Sequence, residues 1–427
     1  MNIIKRKKYV EKKPMRKKTV KRFKRILLAV EVFFAIIVIG IGVVAFVPGV
    51  KNMLIKEMTG TSIGKMILGW FGRDAYESNV KDNDFDPDKI VTNAAVDPSK
   101  LAEYTQFLVI GIDARGSEFD SGSNSDSMII VTINNKTDEV TMVSVYRDTL
   151  MLMVDDNGEI QDGYYNKANA AYAEWGVQGT INTLNTNLDL HISDYVVLNF
   201  AGVSQVVDAL GGIDVTLTQN EVYQLNQHLA DTKLSTGLYA PNITSPGWTH
   251  LVGLQATTYC RIRKTTYYDE TTGEAIDNDF GRAARQRAVI MKLIEKARTM
   301  GLSQTLNVAD VILKSSTEGN RIVKTSMSWD EIVTLISVAF DFNIGENQGY
   351  PLENVADYFA IPGFQTQPSI VVACGTEYNV IKLHEFIYGE KDYETSARVY
   401  LIDKDIQSIT GVRPFTDEQE TNVAGQY

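Results

Sequence analysis

Carboxylates at the ends of apolar segments are the first residues of this 427-residue sequence whose type and spacing suit chemistry. Asp113 closes one β-branched segment, and Asp126 opens the next after a Gly/Ser-rich loop. If the two segments are adjacent strands, both carboxylates lie at one edge of a sheet, where oxygen ligands can hold Mg²⁺ together with phosphate oxygens and water. The alternative is that both acids only cap turns. Arg115, two residues beyond Asp113, is a further candidate at this edge.

Arginines after other apolar segments supply the opposite charge. Arg147 follows the run VSVY and precedes Asp148, and an isolated arginine there would usually form a surface ion pair. Arg261 and Arg263 stand two residues apart in a segment that we predict to be extended, so their side chains share one face. Two guanidinium groups on one face repel each other unless an anion lies between them, and the pair therefore indicates an anion site.

A third set of polar residues opens a predicted helix. Arg282, Arg285 and Gln286 are predicted to stand on one face of this helix, near its positive end. Exposed N–H groups at a helix N-terminus bind anions, and the planar guanidinium group suits bidentate phosphate binding. Together with the two carboxylates, these residues predict a site for a diphosphate and Mg²⁺.

Several other enzyme classes are disfavoured. The sequence has no Gly-x-Ser-x-Gly elbow, no His-Glu-x-x-His motif, and neither a phosphate-loop nor a dinucleotide fingerprint. The four histidines are scattered without metal-ligand spacing, which disfavours a histidine-rich metal centre. The two cysteines, Cys260 and Cys374, do not form a disulfide framework, and whether they pair does not follow from the sequence.

The elements that would position these residues alternate along the chain. Apolar runs rich in β-branched residues alternate with helical patterns, which predicts an α/β fold, a three-layer α/β/α sandwich around a central mixed β-sheet. Predicted strands are residues 107–112, 127–133, 140–145, 194–200 and 213–217, with two more around Phe359 and Val371. Predicted helices are residues 166–175, 179–188, 203–210, 282–300 and 328–342.

The N-terminal charge distribution predicts a single-pass membrane protein. Residues 1–25 carry thirteen Lys or Arg against one acid, and residues 26–47 contain one charge, Glu31. About twenty apolar residues span a bilayer as a helix, and the basic tail favours a cytoplasmic N-terminus. The alternatives, a cleaved signal peptide and a nucleic-acid-binding arm, fit the span's length and its junction with the tail less well. The predicted organisation is a tail (1–25), a transmembrane helix (26–47), a membrane-proximal segment and linker (48–100), a catalytic domain (101–300) and a C-terminal extension with a loosely ordered end (301–427).

Seven motifs in order resemble the LytR-CpsA-Psr family of Gram-positive cell-wall glycopolymer ligases over roughly residues 105–300. They are VIGIDAR, SDSMII, VSVYRDT, NKANAAY, DYVVLNFAGVSQVVDALGGIDV, YCRIRK and DFGRAARQRAVI. The resemblance implies a membrane-anchored, extracellular phosphotransferase that moves a glycopolymer such as teichoic acid or capsule from polyprenyl (undecaprenyl) diphosphate to peptidoglycan. Membrane lipid is then an expected partner, and nucleic acid is not. The alternative is a non-catalytic polyprenyl-phosphate-binding module or envelope regulator.

The resemblance also implies roles for individual residues. Asp113 and Asp126 would hold Mg²⁺, with Mn²⁺ as an alternative ion. The diphosphate would be bound by Arg147, Arg261, Arg263, Arg282 and Gln286, with Arg115 and Arg285 as further candidates, and Asp148 is a candidate general base. An apolar cavity for the isoprenoid chain would draw on Val196, Leu198, Phe200, Val203, Val206, Val207 and Leu210, although their spacing also suits an ordinary core.

Overall fold

The structure is a computed structural model that describes residues 73–92, 103–113, 119, 123–270, 272–300, 321–329 and 343–414, with single positions at 308, 312, 316, 331, 332 and 335. The predicted tail, the predicted membrane span, Arg115 and most of the predicted helix 328–342 lie outside these residues. Within the described ranges, no helix is both long enough and apolar enough to cross a bilayer.

Six strands of the described chain form the central sheet. All strands of the described chain, including those outside the central sheet, are in chain order β1 (Tyr104–Ile112), β2 (Ser125–Asn134), β3 (Glu139–Val145), β4 (Leu150–Val154), β5 (Ile160–Lys167), β6 (Asp194–Asn199), β7 (Ile213–Leu217), β8 (Gly247–Leu251), β9 (Tyr267–Tyr268), β10 (Ala275–Ile276), β11 (Val323–Thr325), β12 (Asn343–Tyr350), β13 (Asn354–Tyr358) and β14 (Ser369–Ala373). The sheet order is β11-β6-β1-β2-β3-β12. β1 pairs with β6, and β3 with β12, in parallel, whereas the other neighbours are antiparallel. The predicted central mixed sheet is therefore confirmed.

Helices cover both faces of this sheet. In chain order the helices are α1 (Arg73–Asn79), α2 (Ala170–Leu188), α3 (Phe200–Ala209), α4 (Gln219–Thr236), α5 (Gly253–Tyr259), α6 (Asn278–Thr299), α7 (Thr376–Tyr388) and α8 (Ala397–Thr410). Leu108 of β1 shares a core with Leu184 of α2. Its neighbour Val109 shares a different core with Ile290 of α6. Because side chains alternate along a strand, β1 contributes to a core on each side.

The segment from 150 to 188 departs from the predicted pattern. The predicted strand 213–217 coincides with β7, but the predicted helix 166–175 begins too early, since residues 166 and 167 end β5 and α2 begins at Ala170. β4 consists of five consecutive buried residues, so it lacks the alternation that marks a strand with one solvent face. Non-helical backbone angles at Trp175 and Gly176 divide α2, at the boundary between the two helices predicted there.

Residues 259–263, predicted to be extended, form a turn instead. α5 ends at Tyr259, and the backbone N–H groups of Arg261 and Ile262 donate to the carbonyls of Thr258 and Tyr259 at 3.0 and 3.3 Å. α5 lies so close to α3 that a Cβ at Gly253 would stand 1.9 Å from the carbonyl oxygen of Ser204. The alternation of apolar and charged residues therefore predicted the wrong conformation for this segment.

Residues 73–92, predicted to belong to a linker, pack against the domain. The hydroxyl of Tyr76 donates to the carbonyl of Met327 at 2.6 Å. Asn182 of α2 accepts from the N–H of Val91 at 2.9 Å and donates to the carbonyl of Lys89 at 3.2 Å. This stretch is therefore held along its length by hydrogen bonds to the folded core.

The chain beyond residue 343 completes the sheet and adds a smaller core. β12 extends the central sheet beside β3. β14 is linked to the start of β4 through a bridge between Thr149 and Val371, and Ile370 of β14 shares a core with Leu152 of β4 and Ile402 of α8.

Candidate active site

The carboxylates of Asp113 and Asp126 lie at the same edge of the central sheet. In the antiparallel pair β1 and β2, Ile112 stands opposite Ser125 and Gly111 stands opposite Ser127. Asp126 is therefore the extra residue of a β-bulge, and Asp113 directly follows β1. A bulge redirects a side chain that would otherwise follow the strand's alternation, and bulges are frequent beside active sites.

Three arginines from different elements surround Asp126. Its Oδ1 atom lies 2.8 Å from Arg147 Nη1, 3.7 Å from Arg263 Nη2 and 3.6 Å from Arg282 Nη1. Arg147 follows β3, Arg263 lies in the turn after α5, and Arg282 lies in the first turn of α6. The fold thus brings together three of the predicted anion-binding residues and one predicted metal ligand.

Asp279 is a third carboxylate of this cluster, and it was not among the predicted site residues. Its oxygens lie 2.9 Å from Arg282 Nη2 and 3.6 Å from both Arg147 Nε and Arg263 Nε. The signal that would have indicated it is its place three residues before Arg282 in the first turn of a helix, where side chains three positions apart are neighbours.

Two cluster arginines retain unused donors. Among the described residues, no hydrogen-bond acceptor is in place for the buried Nε atoms of Arg147 and Arg282. Only 5% of the Arg282 side chain is exposed, and burial lowers the pKa of this guanidinium group to about 10, against the opposing effect of Asp279. The group therefore remains charged at neutral pH, with donor capacity available for an anion.

Arg261 stands on the other side of the same site. Its Nη2 atom is 3.9 Å from Asp113 Oδ2, its Nη1 donates to Thr232 Oγ1 of α4 at 2.7 Å, and its guanidinium carbon lies 4.5 Å from the ring centroid of Phe200. Gln286, one turn beyond Arg282, donates to the carbonyl of Cys260 at 3.3 Å. Both predicted residues therefore border the site.

Arg285, by contrast, does not reach the site. Its side chain is fully buried, and its guanidinium group is bound by Glu221 of α4 at 3.0 and 3.1 Å. On a helix, position 285 is rotated by about 60° from position 282 and by about 100° from position 286, so it faces a different neighbour. The predicted common face of the three residues is thus wrong for Arg285.

A cavity of about 400 Å³ extends from the cluster between the sheet, α3 and α6. Its polar end contains Asp113, Asp126, His228, Arg261, Arg263, Lys264, Arg282 and Gln286. Its apolar wall contains Val109, Ile129, Leu198, Phe200, Val203, Val206, Val289, Ile290 and Leu293. The cavity therefore joins an arginine-rich anion site to an apolar surface.

The predicted cavity residues divide between the wall and the core. Leu198, Phe200, Val203 and Val206 line the cavity. Val207 is fully buried in the core of α3 and α4, and Val196 packs in a separate core with Tyr76.

The wall residues that β1, β2 and α6 contribute were not predicted from the sequence. Helical spacing from Arg282 and Gln286 leads to positions 289, 290 and 293 on the same face of α6, and period two from position 111 leads to Val109. These patterns were present in the sequence, but they require knowing which helix faces which strand.

Two titratable groups in the cavity wall are uncharged near neutral pH. Burial, reinforced by the positive charge of Arg261, lowers the pKa of His228 below its ordinary value. Burial raises the pKa of the Cys260 thiol to about 12, and both Cys260 and Cys374 are free. The charge of the polar end therefore comes from the arginines, Lys264 and the carboxylates.

The donor set at the sheet edge suits a hard divalent cation. Within the described residues, no group of three or more His, Cys, Asp or Glu side chains is placed to hold a metal. The two carboxylates of Asp113 and Asp126 border the same cavity. Mg²⁺ is commonly held by one or two carboxylates, with phosphate oxygens and water as its other ligands, so this pair fits such an ion with a bound phosphate.

Fold and site together define a mixed α/β protein with an anion site at the polar end of an apolar cavity. The chain belongs to the LytR_cpsA_psr family, whose family model matches residues 71–339.

Two curated relatives and one solved structure are similar to the chain. Biofilm regulatory protein A of Streptococcus mutans is 40% identical over 194 residues, which cover 44% of this chain and 43% of that protein. The polyisoprenyl-teichoic acid–peptidoglycan teichoic acid transferase TagU of Bacillus cereus is 32% identical over 262 residues, which cover 61% of this chain and 70% of that protein. A crystal structure of a Streptococcus agalactiae protein shares the fold, with a TM-score of 0.52 and 24% identity over 75% of this chain and 95% of that one.

Proposed function

We propose that this protein is a membrane-anchored phosphotransferase that transfers a glycopolymer from polyprenyl diphosphate to peptidoglycan on the outer face of the membrane. The observation that carries the proposal is the convergence of Arg261, Arg263 and Arg282 at the polar end of an apolar cavity. Arg147 adds a fourth positive charge to this cluster through its contact with Asp126 at 2.8 Å. The name of the Bacillus cereus relative, a transferase acting between a polyisoprenyl-linked teichoic acid and peptidoglycan, supports it. The predicted span at residues 26–47 would supply the anchor.

The proposed substrate matches the two ends of the site. A diphosphate would accept hydrogen bonds from the arginines that line the polar end of the cavity, Arg261, Arg263 and Arg282. The isoprenoid chain would then extend along the apolar wall formed by Leu198, Phe200 and Val206. A lipid with a charged diphosphate at one end satisfies both surfaces at once.

The chemical step is a displacement at phosphorus. A peptidoglycan hydroxyl would attack the phosphorus atom that bears the polymer, and the bond from that phosphorus to the bridging oxygen would break. Polyprenyl phosphate would leave and would take up the proton of the hydroxyl. Phosphoryl transfer depends mainly on positioning and on charge stabilisation, and Arg147 and Arg282 would stabilise the charge that develops on the bridging oxygen. The donor already holds the activated bond, so no nucleotide site is required.

Asp148 is not assigned as the base for the hydroxyl proton. Asp148 was the candidate, and its carboxylate lies 2.9 Å from Lys167 Nζ and 3.6 Å from Arg147 Nε. Both oxygens of this carboxylate therefore already lie against cations of the protein. We therefore assign Asp148 to the positioning of Arg147.

Transfer is expected to require a divalent cation held by Asp113 and Asp126. The ion would neutralise negative charge on the diphosphate. Asp126→Asn removes one charged ligand, and the Mg²⁺ concentration for half-maximal transfer should rise by about tenfold or more. Mg²⁺ titration of activity measures this, with the exposed Asp392→Asn as the matched control. Equal Mg²⁺ requirements of the variant and the wild type would remove Asp126 from the metal site.

The tryptophan side chain of Val206→Trp is expected to fill part of the cavity beside the apolar wall. Loss of contact for about two methylene groups of the isoprenoid chain corresponds to ~1.5 kcal/mol, or about a tenfold rise in KM for a long-chain donor. Binding of inorganic diphosphate should change little, because Val206 lies on the wall and not among the arginines. The control is Val355→Trp, a substitution at an exposed position of β13. An equal loss of affinity for the long-chain donor and for inorganic diphosphate would contradict a lipid surface that is separate from the diphosphate site.

The decisive experiment is transfer by the full-length protein in lipid vesicles. Lipid-linked teichoic acid precursor, peptidoglycan fragments and Mg²⁺ are supplied, and both polyprenyl phosphate release and polymer attachment are followed. Arg261→Ala should reduce both products by about 10²-fold or more, whereas Arg298→Ala, at an exposed position of α6, should not. Equal products from wild type and Arg261→Ala would refute the proposal.

A second candidate function is a polyprenyl-phosphate-binding regulator. The name of the Streptococcus mutans relative, a biofilm regulatory protein, favours it. In the same vesicle assay a regulator would retain the lipid through its arginines and release no product.

A further inference from the structure

Arg285 and Glu221 form a buried ion pair at the junction of α4 and α6. Arg285 is 0% exposed and Glu221 is 3% exposed. One carboxylate oxygen, Oε1 of Glu221, accepts from both Nε and Nη2 of Arg285 at 3.1 and 3.0 Å. The rings of Tyr259 and Tyr267 lie 5.6 and 5.5 Å from the guanidinium carbon. The pair is therefore enclosed on several sides and is not a surface contact.

The remaining donors of Arg285 hold the turn that carries the site arginines. Nη1 donates to the carbonyl of Ile262 at 3.4 Å, and Nη2 donates to the carbonyls of Thr265 and Thr266 at 3.2 and 3.1 Å. In the sequence, Arg263 lies between the first two of these carbonyl groups, and Arg261 directly precedes Ile262. Arg285 thus fixes three backbone carbonyls around two residues that border the cavity.

Glu221 connects the same group to α4. Its second oxygen, Oε2, accepts from the N–H and the hydroxyl of Thr218 at 2.9 and 3.0 Å, which closes the N-terminal cap of α4. α4 also carries Thr232, which accepts a hydrogen bond from Arg261 at 2.7 Å. One ion pair therefore joins α6, which carries Arg282, to α4, which holds Arg261 through Thr232, and Arg285 also binds the turn that carries Arg263.

We infer that Arg285 and Glu221 are positioning residues, which set the mutual spacing of Arg261, Arg263 and Arg282 without contacting the substrate. This inference rests on the proposed function, in which those arginines bind a diphosphate. A lysine at position 285 would keep the charge but would lack the planar set of donors that reaches the carboxylate and three carbonyls together.

A purely stabilising role makes a different prediction. Buried ion pairs can often be replaced by apolar residues of similar volume without loss of folding, whereas removal of one partner leaves an unpaired buried charge. If the pair served stability alone, the double variant Glu221→Met/Arg285→Met would recover both folding and ligand binding. If the pair positions the turn, this variant would fold but would hold the arginines loosely.

The test uses the full-length protein with three measurements on each variant. Thermal unfolding reports folding, calorimetry with inorganic diphosphate and Mg²⁺ reports ligand binding, and trypsin cleavage after Arg263 and Lys264, read by mass spectrometry, reports the turn. The matched control is Glu270→Met/Lys292→Met, which removes an exposed ion pair of 2.7 Å that involves the same helix.

The double variant Glu221→Met/Arg285→Met is expected to melt close to the wild type, to bind diphosphate about tenfold or more weakly, and to be cleaved faster in the turn. Arg285→Lys should show the same two losses to a smaller degree, and it serves as the test if the double variant does not fold. Unchanged diphosphate affinity and unchanged cleavage in a folded variant would overturn the inference. If the wild-type protein bound no diphosphate but the double variant were still cleaved faster in the turn, the positioning role of the ion pair would be upheld and the proposed ligand would be refuted.

Discussion

Replacing Arg282 with alanine is expected to lower kcat for polymer transfer by about 10²–10³-fold, because a buried donor to the developing charge contributes about 2.7–4 kcal/mol. Arg282 is the most buried arginine of the cluster and contacts both Asp126 and Asp279. In the free protein, the carboxylates of Asp126 and Asp279 balance the charge of Arg282. This charge would become available to the diphosphate when the two carboxylates move to other partners. Initial rates at saturating donor in the vesicle assay measure the effect.

Two comparisons separate this effect from a folding defect. Arg282→Lys keeps a point charge without the bidentate donors and should retain part of the activity. Arg298→Ala removes an exposed arginine from the same helix and should retain all of it. A folded Arg282→Ala protein with wild-type kcat would exclude Arg282 from transition-state stabilisation.

Glu221→Met alone is expected to lower the free energy of unfolding by about 3–5 kcal/mol, because it leaves the buried charge of Arg285 without its partner. The half of the capping box in which Glu221 Oε2 accepts from the N–H and the hydroxyl of Thr218 is lost at the same time. Urea unfolding followed by circular dichroism measures the change. This loss should exceed the loss caused by breaking any exposed ion pair of the domain.

An exposed ion pair provides the comparison for this prediction. Glu103→Met breaks the contact with Lys136, whose side chain is 66% exposed, and should cost no more than about 1 kcal/mol. If Glu221→Met cost as little as Glu103→Met, the buried pair would not hold α4 to α6. In that case the Arg285–Glu221 pair could not set the spacing of the site arginines.

Local patterns predicted four strands of the central sheet, β1, β2, β3 and β6, because their signal does not depend on neighbours, whereas β11 and β12 were not predicted. β1 alternates buried and half-buried residues, and β6 alternates in the same way. The turn after α5 was predicted wrongly for the opposite reason. The backbone carbonyls of Ile262, Thr265 and Thr266 accept hydrogen bonds from Arg285 of α6, and a contact between different elements leaves no mark in the local alternation.

The site residues likewise divide into those that local sequence patterns predict and those whose role depends on contacts with distant residues. Asp126 and Arg147 stand out because charged residues at strand ends are visible in the sequence, and the register of β1 and β2 brings Asp126 to the edge shared with Asp113. Arg285 was grouped with Arg282 because both lie in the first turns of α6. Its burial depends on Glu221, 64 residues earlier in the chain, and only the folded structure supplies that neighbour.

The attachment of residues 73–92 to the domain limits the reach of the domain if residues 26–47 span the membrane as predicted. Residues 48–72 would connect that span to Arg73, and a chain of that length reaches at most about 80–90 Å when fully extended. Val80 of the attached stretch shares a core with Leu198, which lines the cavity. Confinement of the site to a layer of that depth would raise the local concentration of a lipid carrier presented in the same leaflet.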